Sequence, residues 1–347
     1  MRAKFNSFHR AVHRVFGTVV CAGAMLLMAA SAPAQNLFVG NLVTYPPYTN
    51  TITEITPSGV RSTFASGLSN PAELAFDNVG NLFEADGTGH IYKFTPSGVR
   101  STFASGFFAP RGFAFDGAGG VYVASSDGNI YRVTSGGVQS TFASNLAPAF
   151  GGLAVNNAGD LFEVDVGVGG NIIYEFTPGG VQSTFASGLT AYPAFLTIDS
   201  TGDLFLADYG GHIYKFTPDG VKSTFASGLN EPAGLAFNSM GNLFVADYGS
   251  GNIYEFTPDG TRSTFASGLD EPGALAFEPS PELMAAVTNG VIQVAVSMPP
   301  PNYSTIVQVS TDMTNWTSVC TNTPPFTFTN SIDTTLPGRF YRALLGP

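Results

Sequence analysis

Cysteine, histidine and positive charge are scarce in this chain, and each shortage removes a class of function. Two cysteines (Cys21 and Cys320) and four histidines occur in 347 residues. The first 34 residues take a share of each. Arg2, Lys4, Arg10 and Arg14 precede an apolar run from Val15 to Ala30 and then the A-x-A stretch Ala32-Pro33-Ala34. That order marks residues 1–34 as a signal peptide, too short and wrongly flanked for a membrane anchor. The mature chain is therefore expected to start near Gln35, to be secreted or periplasmic, and not to be an integral membrane protein. Cleavage leaves Cys320 alone, so no intrachain disulfide is possible, and only His90 and His212 remain, which leaves a Cys/His zinc site almost no ligands. It also removes four of the 14 basic residues and none of the 25 acidic ones, leaving a net charge of −15. Nucleic acid is excluded as a partner, because phosphate binding needs clusters of Lys and Arg. Helical periodicity with caps is missing as well.

What is present is repetition. STFASG occurs at Ser62–Gly67, Ser101–Gly106, Ser183–Gly188, Ser223–Gly228 and Ser263–Gly268, and STFASN at Ser140–Asn145, with successive starts 39, 39, 43, 40 and 40 residues apart. A period near forty marks stacked supersecondary units that cannot bury their faces alone. Each period holds four short apolar pieces bounded by Gly, Pro, Asp or Asn: a (Pro-x-x-Leu-Ala-Phe), b (Leu-Phe-x-Ala-Asp), c (Ile-Tyr-x-Phe) and d (Ser-Thr-Phe-Ala-Ser). These are strand and turn signals. The Thr-Pro-x-Gly pieces, starting at Thr56, Thr95, Thr177, Thr217 and Thr257, set a tight c–d turn. The Asp-x-x-Gly-Asn type at Asp77–Asn81 and Asn238–Asn242 sets the a–b turn.

Four antiparallel strands in about forty residues make a blade of a β-propeller. Counting decides closure. The mature N-terminus opens on strand b at Asn36–Asn41 without a strand a, and the last repeat ends on a surplus strand a at Pro272–Phe277. The expected fold is all-β: a six-bladed propeller over 35–278, closed by N-terminal strands b, c and d with C-terminal strand a. A seven-bladed alternative would enlist Glu282–Val287 and Gly290–Val296, which lack the repeat's punctuation. Residues 279–347 read as a linker and a small β-sandwich-like domain, with β-like runs at Val291–Val296, Thr305–Ser310, Trp316–Val319, Phe326–Thr329 and Arg339–Leu344.

The stretch Leu229–Tyr254, with Pro-Ala-Gly-Leu-Ala, then Gly-Asn-Leu-Phe-Val-Ala-Asp and Gly-Asn-Ile, resembles the NHL repeat. The resemblance runs over about Asn36–Glu278. It implies membership of a wide propeller superfamily that includes gluconolactonase-like lactone hydrolases, virginiamycin B lyase-like enzymes and propellers that only bind. Val307–Trp316 and Arg339–Arg342 resemble immunoglobulin- or fibronectin III-like modules of secreted bacterial proteins. Fold alone does not select a function.

In a four-stranded blade the d–a and b–c loops share one rim. That rim is expected to collect Asp86, Asp165, Asp208 and Asp247, then Tyr209 and Tyr248, Glu231 and Glu271, and the histidines His90 and His212. Such a set could hold a cation or a polar ligand; an Asp ring offers oxygens for a divalent cation such as calcium, the one cofactor suggested. The plainer account of a recurring Asp is hydrogen bonding to loop N–H groups. Glu73, Arg111, Phe150 and Phe195 break the pattern of strand a, where a singular ligand would be read, or where Glu73 and Arg111 pair with each other. No catalytic residue is assigned. The Pro-Asn-Gly of the resembling lactone hydrolases is missing, and His212 with Glu231 is a thin counterpart of the lyase pair. The sequence points first to a monomeric binding module for a protein, carbohydrate or small molecule. Second comes a metal-dependent hydrolase or lyase on the same frame.

Overall fold

The structure is a computed structural model that describes residues 20–21, 24–25, 35–42, 50–147, 152–167, 170–189 and 192–279. It also describes, in the C-terminal segment, 283–288, 291–296, 304–310, 315, 317–322, 326–331 and 340–346. Two compact units are separate: Gln35–Glu278, and a second comprising Met1–Ala34 and Pro279–Pro347.

The first unit is a ring of six blades, each a sheet in the order a-b-c-d. Blade 1 comprises Pro71–Phe76, Leu82–Asp86, His90–Phe94 and Arg100–Ser105. Blade 2 comprises Pro110–Phe115, Val121–Ser125, Asn129–Val133 and Gln139–Ala143. Leu153–Val155, Leu161–Gly167, Gly170–Phe176 and Gln182–Ser187 form blade 3. Pro193–Ile198, Leu204–Asp208, His212–Phe216 and Lys222–Ser227 form blade 4, and Pro232–Phe237, Leu243–Asp247, Asn252–Phe256 and Arg262–Ala266 form blade 5. Blade 6 joins Pro272–Phe277 to Leu37–Asn41, Thr51–Ile55 and Arg61–Ser66, with Phe277 opposite Leu37 and Leu275 opposite Val39. Strands a of successive blades touch in cyclic order, blade 6 against blade 1 included. The closure expected from the leftover strands is the closure observed.

Aromatic packing shows why the outer strand repeats so closely. The second residue of strand b stacks edge-on between a Phe of its own strand d and the last Phe of the next blade's strand a. Phe38 meets Phe64 and Phe76, each at 5.0 Å; Phe83 meets Phe103 and Phe115, each at 5.1 Å; Phe244 meets Phe265 at 5.1 Å and Phe277 at 4.7 Å. Such pairs add about 0.5–1.5 kcal/mol beyond burial. The Phe of STFAS is also the extra residue of a β-bulge: Tyr92 pairs with Thr102 and Ile91 with Ala104, skipping Phe103. The shift recurs in all six blades, and bulges blunt the six open outer edges against pairing with other chains.

Blade 3 departs from the others. Its strands b and c run seven residues rather than five, with the added pairs Val166–Asn171 and Gly167–Gly170. The three- to four-residue excess in the 43-residue spacing falls here, and the hairpin rises about 7 Å farther than its neighbours. Its strand a was expected to start near residue 148; residues 148–151, Phe150 among them, lie outside the described residues.

In the second unit, Leu283–Thr288, Val291–Val296 and Phe326–Ser331 form one antiparallel sheet, and Thr317–Asn322, Ser304–Ser310 and Phe340–Gly346 another. The two strands a seventh blade would have needed thus belong to a sheet outside the ring. Of residues 1–34, only the paired Val20–Cys21 and Ala24–Met25 are described. Among the described residues no helix is long and apolar enough to cross a membrane.

Candidate functional site

The recurring carboxylates at the ends of strands b, buried except for the half-buried Asp165, are engaged with loop backbone. Asp86 accepts the Ser69 N–H at 2.9 Å and the Thr88 N–H at 2.8 Å, together with the Thr88 hydroxyl. Asp165 accepts the Ala147 N–H at 3.0 Å, and Asp208 the Gly210 N–H at 2.6 Å. Asp247 accepts the Asn230 N–H at 2.6 Å and the Ser250 hydroxyl at 2.5 Å. In blade 2 Ser125 does the same work, accepting the Phe108 N–H and donating to the Phe108 carbonyl, both at 3.1 Å. Each side chain ties its own b–c turn, the incoming d–a loop, or both. Among the described residues no group of three or more His, Cys, Asp and Glu gathers where a metal ion could sit.

The stapled loops then turn sharply into strand a. In blades 1, 2, 5 and 6 the residue before the strand's proline is left-handed: Asn70 (φ 58°), Ala109 (44°), Glu231 (54°) and Glu271 (44°). For residues other than glycine this costs on the order of 1–3 kcal/mol and persists only where the surroundings impose it. The two histidines open strand c opposite Asp86 and Asp208, each stacked on the tyrosine two residues along: His90 on Tyr92 at 5.4 Å and His212 on Tyr214 at 5.6 Å. Tyr248 sits in a short 3-10 turn, Tyr248–Ser250, and packs on the apolar layer between blades 4 and 5.

Strand a carries one basic and one acidic residue around the whole ring, Arg111 and Glu73. They are not equivalent. Arg111 is the extra residue of a bulge between Pro110 and Gly112, where other blades have Ala72, Ala194, Ala233 and Gly273. Glu73 stands one position deeper, aligned with Gly112. The three ion pairs among the described residues are Lys93–Asp77, Arg132–Asp116 and Lys215–Asp203, so Glu73 and Arg111 do not pair. Burial pushes the Glu73 carboxyl up to about 8, against a weak bond from the Leu74 N–H at 3.3 Å. Glu73 is therefore a neutral acid at pH 7 that keeps some accessible surface.

Arg111 acts instead across the mouth. Burial raises the Tyr209 hydroxyl above its ordinary value, the Arg111 guanidinium pulls it down, and the Glu231 carboxylate pushes it up. Tyr209 is nonetheless 41% exposed. Its N–H donates to the Tyr192 carbonyl at 3.0 Å. Tyr192 and Phe108, three residues before Arg111, are both 67% exposed. Of the expected rim residues, Arg111 of blade 2 and Glu231 before blade 5 thus both act electrostatically on Tyr209 after strand b of blade 4. Phe195, by contrast, is buried against blade 5. Phe108 and Tyr192 were missed; a large apolar residue in an otherwise polar loop was the available signal.

No family model matches the sequence, and neither does any curated protein. Solved structures do. A chain of a nidogen–laminin complex matches with a TM-score of 0.62 at 17% identity, over 71% of this chain and 98% of that one. The virginiamycin B lyase of Staphylococcus aureus matches at 0.51 and 15% identity, over 75% and 92%. Regucalcin of Agrobacterium tumefaciens, a calcium-binding protein, matches at 0.52 and 15%, over 66% and 82%. At these identities the likeness is one of fold. This chain is a six-bladed β-propeller, and its structural neighbours include a protein in a binding complex, a lyase and a calcium binder.

Proposed function

We propose that this protein is an exported binding module that takes a polar ligand at the rim formed by its d–a and b–c loops, as a monomer, with the C-terminal unit an immunoglobulin-like appendage. One observation carries the reading. Arg111, which alone breaks the Ala/Gly pattern at its position of strand a, acts electrostatically with Glu231 on Tyr209, whereas the recurring carboxylates Asp86, Asp165, Asp208 and Asp247 are spent on holding loops. Binding residues on loops over a rigid frame are the usual arrangement. A fragment screen by ligand-observed NMR tests it: fragments should bind the parent and be lost from an Arg111→Ala/Tyr209→Ala double variant. Equal binding by both proteins, with both folded, refutes it.

A hydrolase or lyase on the same frame has one observation in its favour. Glu73 is a partly buried carboxyl of strand a whose hold on its proton is strengthened by burial, as a general acid needs. Turnover of lactones that disappears in Glu73→Gln, with a pH profile falling near 8, would establish that reading. The absence of turnover in the parent would remove it.

A further inference from the structure

We propose that Glu84 and Glu163 are proton-operated joints: while their carboxyls hold protons, blades 1 and 2 stay packed into the ring, and when the protons leave, the two blades loosen together from blades 6 and 3.

Each glutamate takes the central position of its strand b, and antiparallel pairing fixes the face it shares. Glu84 pairs with Leu74 on one side and Tyr92 on the other. Both belong to the apolar layer shared with blade 6, together with Phe38 and Ala274. Glu163 pairs with Leu153 and Tyr174, which belong to the layer shared with blade 2, together with Tyr122 and Ala124. The other four layers hold Val123, Leu206, Val245 and Val39 at this position. The two carboxyl layers therefore bracket blades 1 and 2, whereas the layer between those blades is closed by Val123.

Glu84 is fully buried with neither carboxyl oxygen bonded, and the buried Glu163 has one oxygen unbonded. On the face of Glu84 stand Asp86, His90, Tyr92 and Arg100 of its own blade, with Arg100 turned to the Tyr92 ring and the Gly67 carbonyl. Blade 6 adds Glu54, bonded to Asn36 and Ser62. Beside Glu163 are Asp165 and Tyr174, and from blade 2 come Tyr122, Arg132 bonded to Asp116, and Arg111, which is skipped in its own ladder. Among the described residues no cation pairs with either glutamate.

A protonated carboxyl in such a layer is only a polar group out of place. An ionised one without a partner is far costlier, and admitting water relieves it. Burial accordingly pushes Glu163 up to about 8 and Glu84 up to about 9. Closure is tightest in acid and weakens as pH rises from the ordinary carboxylate range to those values. The connectivity lets the two blades move as one, because they are a single stretch of chain, residues 71–143, joined to the rest by one loop at each end. The layer with blade 6 is also thinned by Gly40, set against the Pro71 carbonyl where the other five blades carry Ala or Val.

Hydroxyl-radical footprinting of the full chain at pH 5 and pH 9.5 tests this by reading side-chain exposure. The second residue of strand b is a buried aromatic in every layer: Phe38 and Tyr122 report the two joints, and Phe83, Phe162, Phe205 and Phe244 report the other four. Labelling of Phe38 and Tyr122 should rise at least about ten-fold relative to the other four at the higher pH. In Glu84→Gln/Glu163→Gln, which keeps the shape and removes the charge, that relative rise should fall below about two-fold. If this variant does not fold, Glu84→Val/Glu163→Val, with the residue of the sister blades, takes its place. An even rise in all six layers, a rise at only one joint, no rise at all, or a selective rise that survives in the variant overturns the proposal.

Discussion

The Glu278 N–H donates to the Asn36 carbonyl at 3.1 Å. The same bond closes the a–b turn elsewhere, from Asp77 to Asn81 at 2.9 Å and from Asn238 to Asn242 at 3.0 Å. In blade 6 no turn connects its two residues. The ring is shut by reproducing a local turn between distant parts of the chain, with Gln35 adding bonds to the Glu278 carbonyl at 2.6 Å and to the Ser239 N–H at 2.7 Å.

Removing one side of that seam should open the ring. Deletion of Pro272–Phe277 takes away strand a of blade 6 and exposes the buried residues Leu37, Phe38 and Val39. The melting temperature should fall by on the order of 10 °C or more, with dye binding to the exposed apolar surface. An unchanged melting temperature would mean the ring does not depend on this strand.

The seam is also pH-sensitive. Burial, with the nearby Glu54 charge adding to it, pushes the Glu278 carboxyl up to about 7. Its native state thus holds a proton more tightly than the unfolded chain, so this group's contribution is complete below about pH 4.5 and is lost as pH rises toward 7. Glu278→Gln should flatten the stability profile in that window, measured by urea unfolding at pH 4.5, 6 and 7.5. Parallel profiles for parent and variant would contradict the assignment.

The loop staples give a third expectation. Asp247→Ala leaves the Asn230 N–H without its acceptor and should cost about 1–3 kcal/mol. Asp247→Asn, which keeps one acceptor oxygen, should cost less. Hydrogen exchange at the Asn230 amide should rise in the Ala variant. If the Ala variant unfolds at the same urea concentration as the parent, the staple has no structural weight.

How far the sequence reaches differs between frame and site. Blade number, the shared seam and the loop-bonding account of Asp86 and Asp247 follow from spacing and turn residues, because a repeat imposes the same local physics six times. The mouth does not follow in that way. Arg111 and Glu73 stand at successive positions after the proline, and only the bulge that both blades share shows that Arg111 is skipped in the ladder while Glu73 pairs with Ala85. That Arg111 acts on Tyr209 two blades away depends on ring curvature, which no local pattern encodes. Glu84 and Glu163 escaped for another reason. They interrupt strand b, where a pattern Leu-Phe-x-Ala-Asp leaves the central position unspecified, although Val39, Val123, Leu206 and Val245 occupy it in the other four blades.

Those two glutamates carry the last expectation. Glu84 is 0% exposed with neither carboxyl oxygen bonded, and the buried Glu163 has one oxygen unpartnered. By the pattern of their counterparts, Glu84 faces the layer between blades 6 and 1, and Glu163 that between blades 2 and 3. Desolvation, reinforced by Asp86, pushes Glu84 up to about 9, and desolvation with Asp165 pushes Glu163 up to about 8. Both are neutral at pH 7 in the fold and ionised in the unfolded chain. Stability is therefore complete below about pH 4.5 and declines as pH climbs to 8 and 9. Replacing each with the valine of its sister blades removes both the unsatisfied acid and the titration. Glu84→Val and Glu163→Val should each stabilise the ring by about 1–3 kcal/mol at pH 7, by little at pH 4, and by more at pH 9. Denaturant titrations at the three pH values check it; a gain that does not grow with pH would mean that these carboxyls find partners in solution.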